Sequence, residues 1–327
     1  MAIEVLEPGL ASSVQDRGRP GHYDVGIPPS GAVDLYSALA ANLLVGNDDG
    51  AAVLESPYLG PRLRFTEPAT IAVTGATMPA KVNGDAVPSW ESVAVQAGDE
   101  LSFDYVQQGA RVYTAVSGGI DVPAVLGSRS TYALGGFGGL DGRVLKAGDH
   151  LAVGTAPSGS APRPGRVVPE ELRAVLSREV DVRVVLGLYD YRLTEAGLAS
   201  LLDTTWNLTP VADRIGFRYS GGSLEWRERE QPFGAGSDPS NIVDAGYPIG
   251  SIQVPGGVEP IVLHRDAVSG GGYAMVATVI SADLDVVGQC SPGTRTRFRP
   301  VSLEEALAAR SAAHERVATL RRALPRQ

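Results

Sequence analysis

The sequence predicts a mainly β protein with a few helices, an α+β chain in two domains. Three observations carry that expectation. The 40 glycines and 23 prolines are spread over all 327 residues, a usage that suits many short strands joined by tight turns. Strand-like runs recur between Gly-Asp pairs at 84–85, 98–99 and 148–149, which supply the backbone freedom that tight turns need. The length exceeds what one ordinary core encloses, and the run TAPSGSAPRPG from Thr155 to Gly165 has the small, proline-rich make-up of a linker.

Taken in order, Ile3 to Leu6 reads as a strand. Leu35 to Val45 has apolar residues at helical spacing, follows Asp34 as N-cap and ends at Gly46-Asn47. Further strands are expected at Leu63–Phe65, Thr70–Thr74, Ser92–Val95, Glu100–Phe103 and Arg111–Val116. Beyond the linker come a strand over Val180–Leu186, a helix over Thr194–Leu202, and strands at Ser251–Val254, Pro260–Leu263 and Ala274–Ile280. The last element is a helix opened by a capping box, with Ser302 at N-cap and Glu305 three residues on. Arg316, Arg321 and Arg322 suit its C-terminal end, where helix carbonyls attract cations. The domains read as 1–154, a linker at 155–166, a second domain at 167–301 and a helix at 302–327.

Several function classes are disfavoured. A net charge of −9 repels phosphate backbones, so nucleic acid is not an expected partner. The lone Cys290 allows no intrachain disulfide. The N-terminus carries Glu4 and Glu7 rather than a basic-then-apolar leader, and no run is long enough to span a bilayer, so a cytoplasmic protein is expected. His22, His150, His264 and His314 are scattered outside any metal-ligand spacing, and no metal is expected. The tripeptide His264-Arg265-Asp266 mimics a kinase catalytic loop, but Gly271 stands where its asparagine belongs. Only Lys81 and Lys146 could act as an amidase lysine base, and neither lies in a Ser/Gly-rich context.

The informative stretch is Leu10 to Asn47, LASSVQDRGRPGHYDVGIPPSGAVDLYSALAANLLVGN. It holds too many polar residues, glycines and prolines for a plain connection, and it reads either as a well-bonded structural loop or as a pocket wall. In the second reading Gln15, Asp16 and Arg19 bind an amide or carboxylate, because arginine hydrogen-bonds bidentately and aspartate orients it. This stretch resembles the opening of the biotin-dependent carboxyltransferase family, which includes the C component of 5-oxoprolinase, KipA-like regulators, allophanate hydrolase subunit 2 and a half of the urea carboxylase carboxyltransferase domain. The likeness continues through Ala52 to Phe65, Thr74-Gly75-Ala76, Gly118-Gly119-Ile120, Leu126 to Thr131, Gly135 to Gly139 and Gly142-Arg143. It resumes at Asp213 to Arg218, Gly250 to Pro255, Pro260 to Leu263, Asp266 and Gly271-Gly272-Tyr273. It departs at Gly187-Leu188-Tyr189, where relatives often have Gly-Pro-Gln, at Ser269, often threonine, and over Gln231 to Ser240.

The resemblance implies a cyclophilin-like β-barrel architecture in two subdomains and an enzyme that works only as a subunit. Its leading function is an ATP-dependent 5-oxoprolinase acting on a cyclic amide, paired with a KipI-like partner (the B component of 5-oxoprolinase) and a lactam-utilisation subunit. Its alternatives are the carboxyltransferase half of a biotin-dependent urea or amide carboxylase, and a non-catalytic KipA-like regulator that binds a kinase or its inhibitor. No cofactor is expected on this chain itself. ATP would enter through partner subunits, and biotin on a carrier polypeptide, since no Met-Lys-Met is present. The candidate catalytic residues are Arg129, Arg214 and Asp266. Arginines can hold a carboxylate or a developing oxyanion, and Asp266 can accept a proton or orient an amide nitrogen. Gln15, Asp16, Arg19, Asp34, Gln253 and Tyr273 are the candidate substrate contacts, with Gln253 suited to reading an amide through paired donor and acceptor. Each has a plainer alternative: Asp34 as helix cap, Asp213-Arg214 as a local ion pair, Asp266 as a turn cap, Tyr273 as core.

Overall fold

The structure is a computed structural model that describes residues 2–156 and 164–325. Its described residues form two compact units. The first takes the chain up to Arg19, Ser30–Leu176, and the residues from Glu315 onward; the second takes Pro20–Pro29 and Ser177–His314. Most of the expected linker, 157–163, lies outside the described residues. Residues 164–176, assigned from sequence to the linker and second domain, group with the first unit. The backbone supplies the reason: Val168 N–H donates to the Trp90 carbonyl at 2.9 Å and Ser92 N–H to the Arg166 carbonyl at 2.8 Å.

The first unit holds two antiparallel sheets. One has six strands in the spatial order His150–Ala152, Ala2–Glu7, Arg62–Phe65, Glu100–Phe103, Ala80–Val82 and Asp85–Val87. The other has five, in the order Ser13–Gln15, Val53–Pro57, Gln108–Val116, Ala69–Thr77 and Ser92–Val95. Alternating apolar residues from both, among them Val5, Leu63, Ile71, Val73, Leu101 and Val112, share one buried cluster. A second cluster joins helix α1 (Leu35–Leu44) to Tyr113 and Ala115 of the five-stranded sheet, and Leu320 and Leu324 pack there too. The Ala-rich sequence of α1 lets the helix approach the sheet closely, and Gly46 with φ 73° ends it.

The second unit is built on a closed seven-stranded barrel. Its strands run in the order Glu179–Leu186, Met275–Val279, Ser251–Gln253, Ile261–Leu263, Gly216–Ser220, Trp206–Ala212 and Arg295–Pro300. All neighbours are antiparallel except at the closure, where Glu179–Leu186 and Arg295–Pro300 pair in parallel with Val182 opposite Phe298. Val182, Trp206, Phe217, Tyr219, Ile252, Val262 and Phe298 are fully buried, and Tyr219 meets Phe298 edge to face at 5.6 Å. A hairpin of Asn241–Gly246 and Gly270–Tyr273 adds a separate two-stranded sheet.

Three further helices complete the chain: α2 (Glu195–Asp203), α3 (Leu284–Gly288) and α4 (Leu303–Ala323). Thr194 caps α2, its Oγ1 accepting the Gly197 N–H at 3.0 Å. The expected capping box opens α4: Ser302 N–H donates to Glu305 Oε2 at 2.7 Å and Glu305 N–H to Ser302 Oγ at 3.1 Å. The fold is thus mainly β with four helices and a closed barrel, the class the sequence predicted.

Candidate functional site

In the first unit the Leu10–Asn47 stretch is organised by one carboxylate. Asp16 Oδ1 accepts from Gly18 N–H at 2.7 Å, Ser128 Oγ at 2.6 Å and Ser130 Oγ at 2.5 Å, while Oδ2 accepts from Arg129 N–H at 2.6 Å. Four donors on one anion lock the 16–18 turn to the Ser128–Ser130 turn. Arg19 is buried: its Nη2 donates to the Ser130 carbonyl and its guanidinium stacks 5.0 Å from the centre of the Phe137 ring. Gly138 makes that approach possible, because any Cβ there would collide with the Ser130 carbonyl oxygen and Arg19 Nη2. Gln15 Nε2 donates to Ser13 Oγ at 3.0 Å and to the Thr131 carbonyl at 3.2 Å. Gln15, Asp16 and Arg19 therefore hold the loop that carries Arg129.

Asp34 takes the capping role. Its carboxylate accepts Ser37 N–H at 2.9 Å and Ser37 Oγ at 2.6 Å, and its own N–H donates to Tyr113 Oη at 2.8 Å. Tyr113 in turn donates to Glu55 Oε2 at 2.9 Å. Full burial, reinforced by the Glu55 charge, pushes the Tyr113 phenol well up, so it stays protonated as the donor that this network needs.

Arg129 differs from its neighbours in reaching solvent. Its side chain is 43% exposed and touches Asp121 through a single 3.2 Å contact. It lines a cleft of about 380 Å³ with Asn47, Gly118, Gly119, Asp121 and Thr155. Of the predicted residues in this unit, Arg129 is the one whose charged group faces an open space.

The second unit carries the other candidates, on its barrel strands, its hairpin and the loops between them. Arg214 and Asp266 form a two-bond pair, Nε to Oδ2 at 2.7 Å and Nη2 to Oδ1 at 3.2 Å. Asp266 N–H also donates to the Arg214 carbonyl at 2.9 Å, tying the two loops by main chain. Asp213 does not share in this pair; its Oδ1 caps its own turn by accepting Ile215 and Gly216 N–H. Tyr23, from the Pro20–Pro29 segment, faces this corner. Burial raises its phenol pKa, the nearby Arg265 opposes the rise and Asp266 adds to it.

Tyr247 connects the remaining two. Its hydroxyl meets the carbonyls of Gly271 at 2.5 Å and Tyr273 at 2.7 Å, and it accepts Tyr273 N–H at 2.8 Å. Burial raises its pKa, and the Gln253 amide faces the same hydroxyl. Gln253 is buried in its strand, and among the described residues its Nε2 lacks a hydrogen-bond partner of good geometry. Ala267, next to Asp266, lies in the same apolar cluster as Tyr247. Tyr273 contributes its backbone here, while its own side chain is exposed. Sequence reasoning missed Tyr247 and Tyr23; a lone tyrosine among glycines and prolines gives no periodic signal.

Among the described residues no group of three or more His, Cys, Asp and Glu could hold a metal ion. His264 is buried, with Nε2 3.2 Å from the Leu284 carbonyl and its ring 5.4 Å from Phe217. No helix of the described residues is long and apolar enough to cross a membrane.

Comparison with known proteins gives this geometry a context. Residues 25–300 match the family described as carboxyltransferase domain, subdomain A and B. The chain is 36% identical over 313 residues to urea amidolyase of Saccharomyces cerevisiae, covering 93% of this chain and 17% of that protein. It is 35% identical over 309 residues to the C component of 5-oxoprolinase from Escherichia coli, covering 94% of each. The crystal structure of Kluyveromyces lactis urea carboxylase superposes with a TM-score of 0.91 at 36% identity, over 98% of this chain and 29% of that one.

Proposed function

The chain belongs to the carboxyltransferase-domain family of subdomains A and B, and from that premise we propose that it is a subunit of a 5-oxoprolinase-type enzyme that opens a small cyclic amide. What carries this reading is a two-bond Arg214–Asp266 pair and a buried Gln253 amide in one unit of a chain that matches the C component of a 5-oxoprolinase over nearly the whole length of both. An amide presents a carbonyl acceptor and an N–H donor. Gln253 offers the complementary donor and acceptor, Asp266 accepts the proton of the attacking nucleophile and returns it to the departing nitrogen, and Arg214 orients the Asp266 carboxylate through two hydrogen bonds and faces developing negative charge. Arg129, in the open cleft of the first unit, offers a separate anchor for an anionic group. The enzyme works in the cytosol with a KipI-like partner that completes the catalytic assembly, and ATP arrives through a further subunit.

A second reading has its own support. Close likeness to the Kluyveromyces lactis urea carboxylase structure favours a carboxyltransferase half, with biotin brought on a separate carrier. The two lysines of this chain give biotin no attachment context, and Lys81 is already paired with Asp104 at 2.8 Å.

Co-expression with the neighbouring subunits, followed by ATP-dependent turnover of 5-oxoproline and of urea, separates the readings. Hydrolysis of 5-oxoproline by the complex and not by the single chain is the expected result. Turnover of urea alone, with biotin required, would replace it with the second reading. Tight binding to a kinase or kinase inhibitor with no turnover of either substrate would sink both.

A further inference from the structure

Arg192 is a buried cation without a buried anion. It sits in the Asp190–Arg192 turn of the second unit with 2% of its surface exposed. Its Nη1 donates to the Asn241 carbonyl at 2.7 Å and its Nη2 to Gln231 Oε1 at 3.2 Å, both neutral partners. Among the described residues its Nε has no partner. Arg183 and Arg214 of the same unit, by contrast, pair with Asp283 and Asp266. Nothing in the proposed activity uses Arg192.

Burying a guanidinium without a counter-charge is destabilising, as stranding one partner of a buried pair is. A methionine or glutamine would fill the same space more cheaply. The surroundings deepen the imbalance. Burial lowers the pKa of Arg192, and the positive charge of Arg229 lowers it further. The Tyr189 ring lies 6.0 Å from the guanidinium, and Tyr189 packs against Tyr191 at 6.2 Å. Two cations, two aromatic rings and no carboxylate partner among the described residues are the components of an anion receptor. The geometry also selects the anion. Nε and Nη2 form the side-on edge that a carboxylate meets with two parallel bonds. Here that edge carries one 3.2 Å bond, and the Gln231 that makes it is itself held by its Nε2 on the Asp238 carbonyl at 2.5 Å.

We propose that Arg192 is the anchor of an oxyanion site in the second unit, which takes the carboxylate of a small molecule on its Nε–Nη2 edge. Arg229 supplies the second positive charge and the Tyr189 ring covers the body of the ligand. The carboxylate displaces Gln231, so the Gln231–Ser240 tract opens to admit it. The site is independent of which bond the assembled enzyme breaks.

The test is binding to the full chain, read by thermal shift and calorimetry, with sodium acetate, 5-oxoproline and inorganic phosphate against chloride at equal ionic strength. The wild type is expected to be stabilised by the carboxylates beyond chloride. Arg192→Gln should weaken that binding about tenfold or more. Arg229→Gln, at an exposed position, should weaken it severalfold and leave the unliganded melting temperature unchanged, which keeps the test valid if the Arg192 variant fails to fold. Carboxylates acting no differently from chloride, or binding unchanged in either variant, would overturn the site. A response to phosphate alone would overturn the carboxylate as its ligand. Because the readout is binding, neither result depends on whether 5-oxoproline is turned over.

Discussion

The pair at the centre of the proposed site makes a quantitative expectation. Arg214 and Asp266 have side chains 20% and 7% exposed and meet through two bonds. Removing one member of a buried pair costs about 3–5 kcal/mol, because the survivor is stranded. Water reaches Arg214 here, so Asp266→Asn should cost less, about 2–3 kcal/mol. The backbone bond from Asp266 N–H to the Arg214 carbonyl survives the substitution and keeps the loops in place. The double variant Arg214→Met/Asp266→Leu removes both charges together and should return to within about 1 kcal/mol of wild type, more stable than either Arg214→Met or Asp266→Leu alone. Urea titration followed by tryptophan fluorescence is a suitable assay, since Trp206 is fully buried in the same barrel. Stability alone makes the pair a strut. What marks it as chemistry is that the double variant regains stability and yet leaves the reconstituted complex inactive. A coupling below about 0.5 kcal/mol, or full turnover by the double variant, would refute the reasoning.

Further outcomes are expected elsewhere. Asp16→Asn exchanges an anion with four donors for an amide that opposes one of them, so stability should fall by about 2–3 kcal/mol; a loss under about 1 kcal/mol in chemical denaturation would show that the turns hold without it. Arg129→Ala removes an exposed side chain and should abolish complex activity with little change in melting temperature, whereas a large drop in melting temperature with normal specific activity would refute its role. Gln253→Leu replaces a buried amide lacking a good partner, so stability should stay level or rise by up to about 1 kcal/mol while turnover collapses; retained turnover would exclude Gln253 from the site. Asp149 has its pKa lowered chiefly by its hydrogen bonds from Arg143. A lowered folded pKa contributes stability above the unfolded value and loses it as pH falls through the folded one. Arg143→Gln should therefore be less stable than wild type at pH 7, with the gap closing below about pH 4; a gap independent of pH would contradict the assignment.

About half of the strands were legible, those in which local chemistry repeats. The Gly-Asp turns at 84–85, 98–99 and 148–149 do what their composition implies, with glycine φ of 91°, 90° and 86°. Asp99 and Asp149 each accept the N–H of the residue three before, Gln96 and Lys146. The three-residue strands Ala80–Val82 and Asp85–Val87 and the five-residue α3 were not foreseen, being too short for a period to register, and neither were the longer Trp206–Ala212 and Arg295–Pro300, where Pro210 and the arginines at 295, 297 and 299 mask an apolar alternation. The site was legible only in part. Charge marks Arg214 and Asp266 in the sequence, but the pairing spans 52 residues and belongs to the barrel. Asp16 and Asp34 looked like ligands because polar residues in loops look alike until their partners are known. Arg192 escaped notice because its significance is a missing neighbour, which no sequence pattern records.

The parallel seam between Glu179–Leu186 and Arg295–Pro300 dictates when the barrel can come into being. Pairs such as Trp206–Ala212 with Gly216–Ser220 need only nearby chain, but the ring cannot shut until the strand ending at Pro300 has left the ribosome. Until then Glu179–Leu186 presents an open edge, the kind of surface that recruits stray strands. Asp181, which in the closed ring pairs with Arg297 and Arg299, puts a bare carboxylate on that edge meanwhile. The nascent chain thus carries its own guard against mispairing, and surrenders it to the arginines that complete the cylinder.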